Sequence, residues 1–152
     1  MQSHFVKIAD RAEQPLSAED GIAFVSDPCF GGINVFIGAV RDFNHGRAVV
    51  GISYDMFKPL ALARFKQIAA EVSQEFGPDI KIYIAHAFGR LAIGDLAVVI
   101  AVGTKHRDEA YRASRRVIEA VKHSTPIWKQ EHFSDGDSAW SEGCSLCAPE
   151  PK

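Results

Sequence analysis

Seven consecutive apolar residues, Leu96-Ala97-Val98-Val99-Ile100-Ala101-Val102, follow Gly94-Asp95 and stop at Gly103. Successive side chains of a strand point to opposite faces, so such a run needs cover on both sides. A second strongly apolar run, Ile33 to Val40, opens after Gly31-Gly32 and predicts a central strand. Together they exclude a sheet with one face in water and require helices packed upon it.

The helices are legible. Leu62, Phe65, Ala69, Val72 and Phe76 recur at three- and four-residue steps, which predicts one apolar stripe over Pro59–Phe76. Pro59 suits the first turn, and Gly77-Pro78 stops the helix. Ser17 caps a shorter helix running to about Val25, with Glu19 and Asp20 in its first turn. Asp108 to about Val121 is the last helix, its face made by Ala110, Ala113, Val117 and Val121, with Arg112, Arg115 and Arg116 outside it. Strands are expected at Phe5–Ile8, Ile33–Val40, Val49–Tyr54, Ile80–His86 and Leu96–Val102. Ile33–Val40 and Val49–Tyr54 look like an antiparallel pair joined by the polar loop Arg41–Arg47. Phe88–Asp95 reads as a tight connection. The order βαββαββαβ predicts a mixed sheet with packed helices, in the α+β or α/β class.

A chain of 152 residues suggests one domain, taken here as residues 1–140, followed by a flexible tail over 141–152. A net charge of −2 gives no global signature for polyanions. No apolar run is long enough to span a bilayer, and the first residues lack a signal-peptide pattern, so the expectation is a cytoplasmic protein. Three cysteines, Cys29, Cys144 and Cys147, form no disulfide framework. Cys144-Ser145-Leu146-Cys147 is a lone pair with no second pair to complete a zinc site, so no metal is expected.

The chemistry gathers at element ends. In Lys122-His123-Ser124-Thr125-Pro126-Ile127-Trp128-Lys129, Pro126 forbids an unbroken helix and biases Thr125 to extended geometry. A helix ending near Lys122, a corner, and an extended run from Ile127 to Phe133 would turn both amines to one cleft, with Trp128 as a wall. Arg41 follows one strand; His106 and Arg107 follow another and precede a helix. Such cations suit a phosphate or carboxylate, arginine by forked contacts and lysine as a movable charge. Crowding by other cations lowers a lysine's pKa and makes proton transfer feasible, so Lys122 and Lys129 are candidate acid/base groups.

Three segments then carry a resemblance: Phe36-Ile37-Gly38-Ala39-Val40-Arg41, Thr104-Lys105-His106-Arg107, and Lys122 through Glu131. In order and spacing they resemble the large, catalytic subunit of molybdopterin synthase, over roughly residues 5–140. The resemblance implies an α/β hammerhead fold with an added antiparallel β subdomain. It implies a sulfurtransferase that converts cyclic pyranopterin monophosphate to molybdopterin by installing a dithiolene, in molybdenum cofactor biosynthesis. Sulfur would come from the C-terminal Gly-Gly thiocarboxylate of a small ubiquitin-like partner, in a heterotetramer built on a homodimer of large subunits. Carried over, Lys122 and Lys129 are the catalytic lysines. Arg41, His106, Arg107, Lys122 and Lys129 line the pterin-phosphate pocket, with Ala39 and Val40 contributing backbone and Gln130 and Glu131 following in the same segment. The His-Arg pair would reach the site from a neighbouring protomer. No cofactor, nucleic acid or membrane is implied.

Two positions depart from the family pattern: Asp55 and Phe57 stand where relatives often carry Glu and Tyr, and Phe57 lacks the hydroxyl. The tail thiols receive no role. The competing reading is a non-catalytic module whose basic cleft holds a phosphate, a nucleotide or an RNA backbone; it predicts salt-sensitive polyanion affinity.

Overall fold

The computed structural model describes residues 2–141. The chain runs β1 (His4–Asp10), α1 (Ala18–Val25), β2 (Gly32–Ala39), β3 (Phe43–Asn44), β4 (Arg47–Met56), α2 (Lys58–Phe76), β5 (Ile80–Ala92), β6 (Leu96–Thr104), α3 (Arg107–Ser124), β7 (Ile127–Phe133) and β8 (Ser138–Ser141). This is the expected order with two short strands added. The sheet order is β2-β6-β5-β4-β7-β8, with β1 parallel to β5 and β3 paired to β4. All other pairings are antiparallel, so the sheet is mixed and the class is α+β.

Strand β5 belongs to two half-sheets. Its residues Ile80–His86 pair with β6, and Gly89–Ala92 pair with β4. Gly89 sits between them at φ +94°, a conformation glycine adopts without a steric penalty. The expected connection over Phe88–Asp95 is therefore mostly strand; only the turn around Ile93–Asp95 connects.

The larger half, β1, β2, β5 and β6, is sandwiched between helices. A Cβ at Gly21 of α1 would lie 3.0 Å from the Tyr83 ring, so α1 packs closely on that face. Neighbouring side chains point the other way: His4, paired with Ile82, reaches Ser73 of α2 at 2.7 Å. On that face Ile82, Ile84 and Ile100 are buried with Phe65, Ile68 and Val72 of α2 and Val117 and Val121 of α3. The apolar stripe expected of α2 is thus the core-facing one. Arg112, Arg115 and Arg116 are tied to Asp108, Glu119 and Glu75 in exposed pairs, as their place outside the α3 stripe predicts.

Two expectations fail. Ile33–Val40 is not central: β2 pairs only with β6, and Phe36 and Ile37 are 40% and 44% exposed. Nor does it pair with Val49–Tyr54. The Val40 N–H donates to the Asp95 carbonyl and the Gly94 N–H to the Val40 carbonyl, which ties the end of β2 to the β5–β6 turn. The chain departs at Arg41 and starts a separate hairpin, β3–β4. Among the described residues no helix is long and apolar enough to cross a membrane. Cys144, Cys147 and the tail they belong to lie outside the described residues.

Candidate active site

The corner forms as Pro126 requires. Helix α3 ends at Ser124, Thr125 is extended at φ −101°, ψ 133°, and β7 begins at Ile127. Alternation along β7 then sorts the side chains. Ile127, Lys129, Glu131 and Phe133 face inward; Trp128, Gln130 and His132 face outward. Burial agrees, with Glu131 8% and Trp128 44% exposed. Trp128 is therefore not a wall of the lysine cleft. Gln130 is on the outer face as well, where its amide donates to Ser138 Oγ at 3.0 Å.

The inward row meets the end of β2 and the β3–β4 hairpin around a cavity of about 110 Å³, lined by Ala39, Arg41, Phe43, Asn44, Tyr54, Lys129 and Glu131 among others. His45 and Gly46 both have positive φ, at 50° and 77°, the geometry of a two-residue type I′ turn. That turn fixes Asn44 inside the site. The Asn44 amide donates to both Glu131 oxygens at 2.8 Å and accepts from Arg41 Nη2 at 3.1 Å. Lys129 Nζ stands 3.5 Å from Glu131 Oε1. The near charge beside Lys129 is thus a carboxylate, not the cation crowd expected from the sequence. The Val40 N–H beside the pocket is already engaged by the β5–β6 turn.

Lys122 is close enough to His86 for its charge to act on the imidazole. His86 packs edge-on against Tyr54, centroids 4.9 Å apart at 80°. Burial holds the His86 imidazole down to about 3, and the nearby Lys122 charge adds to the effect against the Ala87 carbonyl bond. His86 is therefore neutral; its Nδ1 donates to that carbonyl at 2.8 Å, leaving Nε2 as the lone-pair nitrogen. Burial, then the Glu131 charge, pushes the Tyr54 hydroxyl up to about 12, so it stays protonated in the pocket wall.

His106 and Arg107 are elsewhere. They sit at the start of α3, and Lys122 lies fifteen residues further along it, a separation of about 22 Å. Within one chain they cannot line the pocket that holds Lys129 and Arg41. The structure joins Arg41, Lys129 and Glu131, sets the Lys122 charge beside His86, and leaves the His-Arg pair remote. Asn44, Tyr54 and His86 were missed. Asn44-His45-Gly46 carried a turn signal for the first; Tyr54 and His86 read only as strand residues. Among the described residues no three His, Cys, Asp or Glu side chains are grouped to hold a metal ion.

Comparison with known proteins adds five likenesses. The family profile described as MoaE protein matches residues 11–124. The molybdopterin synthase catalytic subunit of Synechococcus elongatus is 47% identical over 133 residues, 88% of this chain and 79% of its own length. Catalytic subunit 1 from Mycobacterium tuberculosis is 40% identical, covering 82% of this chain and 84% of its own. The crystal structure of molybdopterin synthase from Staphylococcus aureus superposes with a TM-score of 0.81 at 33% identity, over 93% of this chain and 98% of that one. A chain from Helicobacter pylori, solved as a protein–protein complex of subunits 1 and 2 of its molybdopterin-converting factor, shares the fold at TM-score 0.67 and 23% identity, over 90% and 89%.

Proposed function

The chain belongs to the MoaE protein family, and from that membership we propose that it is the catalytic subunit of a molybdopterin synthase. It is then an enzyme of molybdenum cofactor biosynthesis, a sulfurtransferase acting on cyclic pyranopterin monophosphate. The observation that carries the reading to residues is the convergence of Arg41 and Lys129, from distant parts of the chain, on one small pocket.

Both reactants are anions: a phosphate on the pterin and a thiocarboxylate on the small partner's Gly-Gly tail. Arg41 offers a planar, permanently charged fork for the phosphate. Lys129, next to Glu131, has a carboxylate within reach to exchange a proton with, and Lys122 supplies the second amine. Each transfer exchanges one sulfur for one oxygen: the thiocarboxylate C–S bond breaks, a C–S bond replaces a C–O bond at a pterin carbon with the oxygen leaving as water or hydroxide, and water hydrolyses the acyl group so that the tail is left as an ordinary carboxylate. Ala39, Val40 and Gln130 stay in the assignment as neighbours that shape the pocket edge and strand. A cavity of about 110 Å³ is small for a whole substrate, since ligand sites usually enclose about 300 Å³ or more. A second copy donating His106 and Arg107 would complete it. Hence a homodimer of this chain with one small subunit at each end is the assembly we assign.

The competing reading, a polyanion-binding module, has no observation in its favour. The pocket is centred on Glu131, and Arg112, Arg115 and Arg116 on the surface of α3 are paired.

The test combines the chain, a thiocarboxylated small partner and the cyclic substrate. The wild type makes molybdopterin; Lys122→Ala loses on the order of 10²–10⁴ in rate while its melting temperature is held. Turnover near wild type in that variant removes the lysine assignment, and no product from the wild type removes the synthase reading.

A further inference from the structure

Tyr54 of β4 pairs with Gly89 of β5 on one side and with Lys129 of β7 on the other. Directly opposed residues of neighbouring strands turn their side chains to one face, with Cβ atoms about 4.5–5.5 Å apart. The phenol and the Lys129 amine therefore stand side by side in the pocket wall. The residue is only 6% exposed, and its ring packs edge-on against His86, which is pinned by its bond to the Ala87 carbonyl.

The packing accounts for the ring and leaves the hydroxyl unexplained. Buried tyrosine hydroxyls ordinarily find a hydrogen-bond partner. Among the described residues the Tyr54 hydroxyl has none, while the oxygens of nearby Glu131 accept from the Asn44 amide at 2.8 Å. Among the described buried side chains, Thr125 Oγ1 alone is sealed from solvent without a partner, so the Tyr54 oxygen opens on the cavity that its residue lines. Phenylalanine would fill the same space and pack on His86 equally well. The oxygen therefore serves something that enters the pocket, not the fold. Groups that enter meet Arg41 and Lys129, so they are anions, and an anion needs a donor. Burial, with the Glu131 charge behind it, holds the hydroxyl up at about 12, so its proton stays on.

We propose that the Tyr54 hydroxyl is a catalytic hydrogen-bond donor to a negatively charged ligand oxygen seated beside Lys129. A neutral donor fixed in place before the ligand arrives stabilises charge there without giving up its proton. The identity of the ligand rests on the synthase reading: the oxygen belongs to the phosphate of the cyclic substrate or to the acyl carbon of the thiocarboxylated tail. The hydrogen bond is the same in both.

The test is Tyr54→Phe in the full chain, read by thermal melting, by calorimetric titration with inorganic phosphate and with the cyclic substrate, and by molybdopterin formation with the thiocarboxylated partner. The free variant should melt at or above the wild-type temperature, because an unpartnered hydroxyl gives the fold no bond to lose. Its turnover should fall on the order of 10², the usual loss for one such donor. If the acceptor is the phosphate, affinity for inorganic phosphate and for the cyclic substrate falls with it, by roughly tenfold. If the acceptor is the acyl oxygen, both affinities stay at wild type and the loss is confined to kcat.

A variant that melts below wild type or fails to fold overturns the proposal whatever its rate, since only the hydroxyl has been removed and it must then serve the structure. Wild-type turnover with wild-type affinities overturns it as well. A wild-type chain that makes no molybdopterin removes the synthase reading, and phosphate titration then decides alone: weaker binding in Tyr54→Phe keeps the donor role, and equal binding, or none by the wild type, overturns it.

Discussion

Strands β6 and β7 come from the same sheet and have opposite fates. Eight of the nine residues of β6 are buried, against three of the seven of β7. Strand β6 carries no charged side chain and is covered by α1 on one face and α3 on the other. Strand β7 alternates, so one row enters the pocket and the other meets solvent. Double cover leaves no room for a titrating group without a large desolvation penalty. Single cover allows Lys129 and Glu131 to share a pocket that is dry on one side and open on the other. The half of the sheet with three helices is built for stability, and the half without them is built for chemistry. Gly89, His86 and Tyr54 mark the seam.

The sharpest way to break this comparison is to make one deletion in both halves. Phe65 of α2 is fully buried, and Phe43 of β3 is 56% exposed. Phe65→Ala should cost about 3–5 kcal/mol of unfolding free energy, the usual cost of emptying a core aromatic site. Phe43→Ala should stay within about 1 kcal/mol. Urea melts of both variants read this directly, and equal losses would mean that stability is not concentrated in the helix-covered half.

Function should divide the other way. Arg41→Ala removes one charge-assisted phosphate contact, so substrate affinity should fall roughly ten- to a hundred-fold, about 1.5–3 kcal/mol. Its melting curve should match the wild type, because Arg41 is exposed and adds nothing to the core. Binding at wild-type strength would place the phosphate elsewhere.

The seam carries the most specific effect, and near neutral pH the smallest. His86 is buried neutral, its folded value near 3 against 6.5 when unfolded. A folded value below the unfolded one means that the unfolded chain takes up the proton first. Stability is therefore complete above about pH 6.5 and falls as pH drops toward 3, by up to about 1.4 kcal/mol per pH unit from this group. His86→Phe should flatten that slope in pH-dependent denaturation; an unchanged slope would show that other groups govern it.

Which parts could be read in advance follows the same division. The α2 stripe, the Ser17 cap and the Pro126 corner are local, decided by residues within a few positions of each other, and all three form. Pairing is not local. Ile33–Val40 is apolar enough for a central strand, but its neighbour is chosen by how the β5–β6 turn grips Val40. Gly89 looks like a loop glycine, and only the strand on each side of it shows that it bends β5 from one half-sheet to the other. The lysines and Arg41 were visible as charges at element ends. Asn44 was not, because its role comes from two partners, one of them 87 positions away. Trp128 was misplaced for a simpler reason: next to Lys129 in a strand, it must face the other way.

Helix α3 lies on β2 and β6 of the helix-covered half, and the account depends most on its two ends. It sets Arg107 and Lys122 about 22 Å apart, so a site that uses both must draw them from two copies of the chain. The direct measurement is to mix Lys122→Ala and Arg107→Ala chains, each inactive alone, let them exchange subunits, and assay molybdopterin formation with the thiocarboxylated partner. Each mixed dimer then holds one site with both defects and one with neither. The account predicts partial recovery of activity that rises with the fraction of mixed dimers. Mixed dimers confirmed by mass that remain inactive, or a chain that sediments as a monomer while fully active, would contradict it.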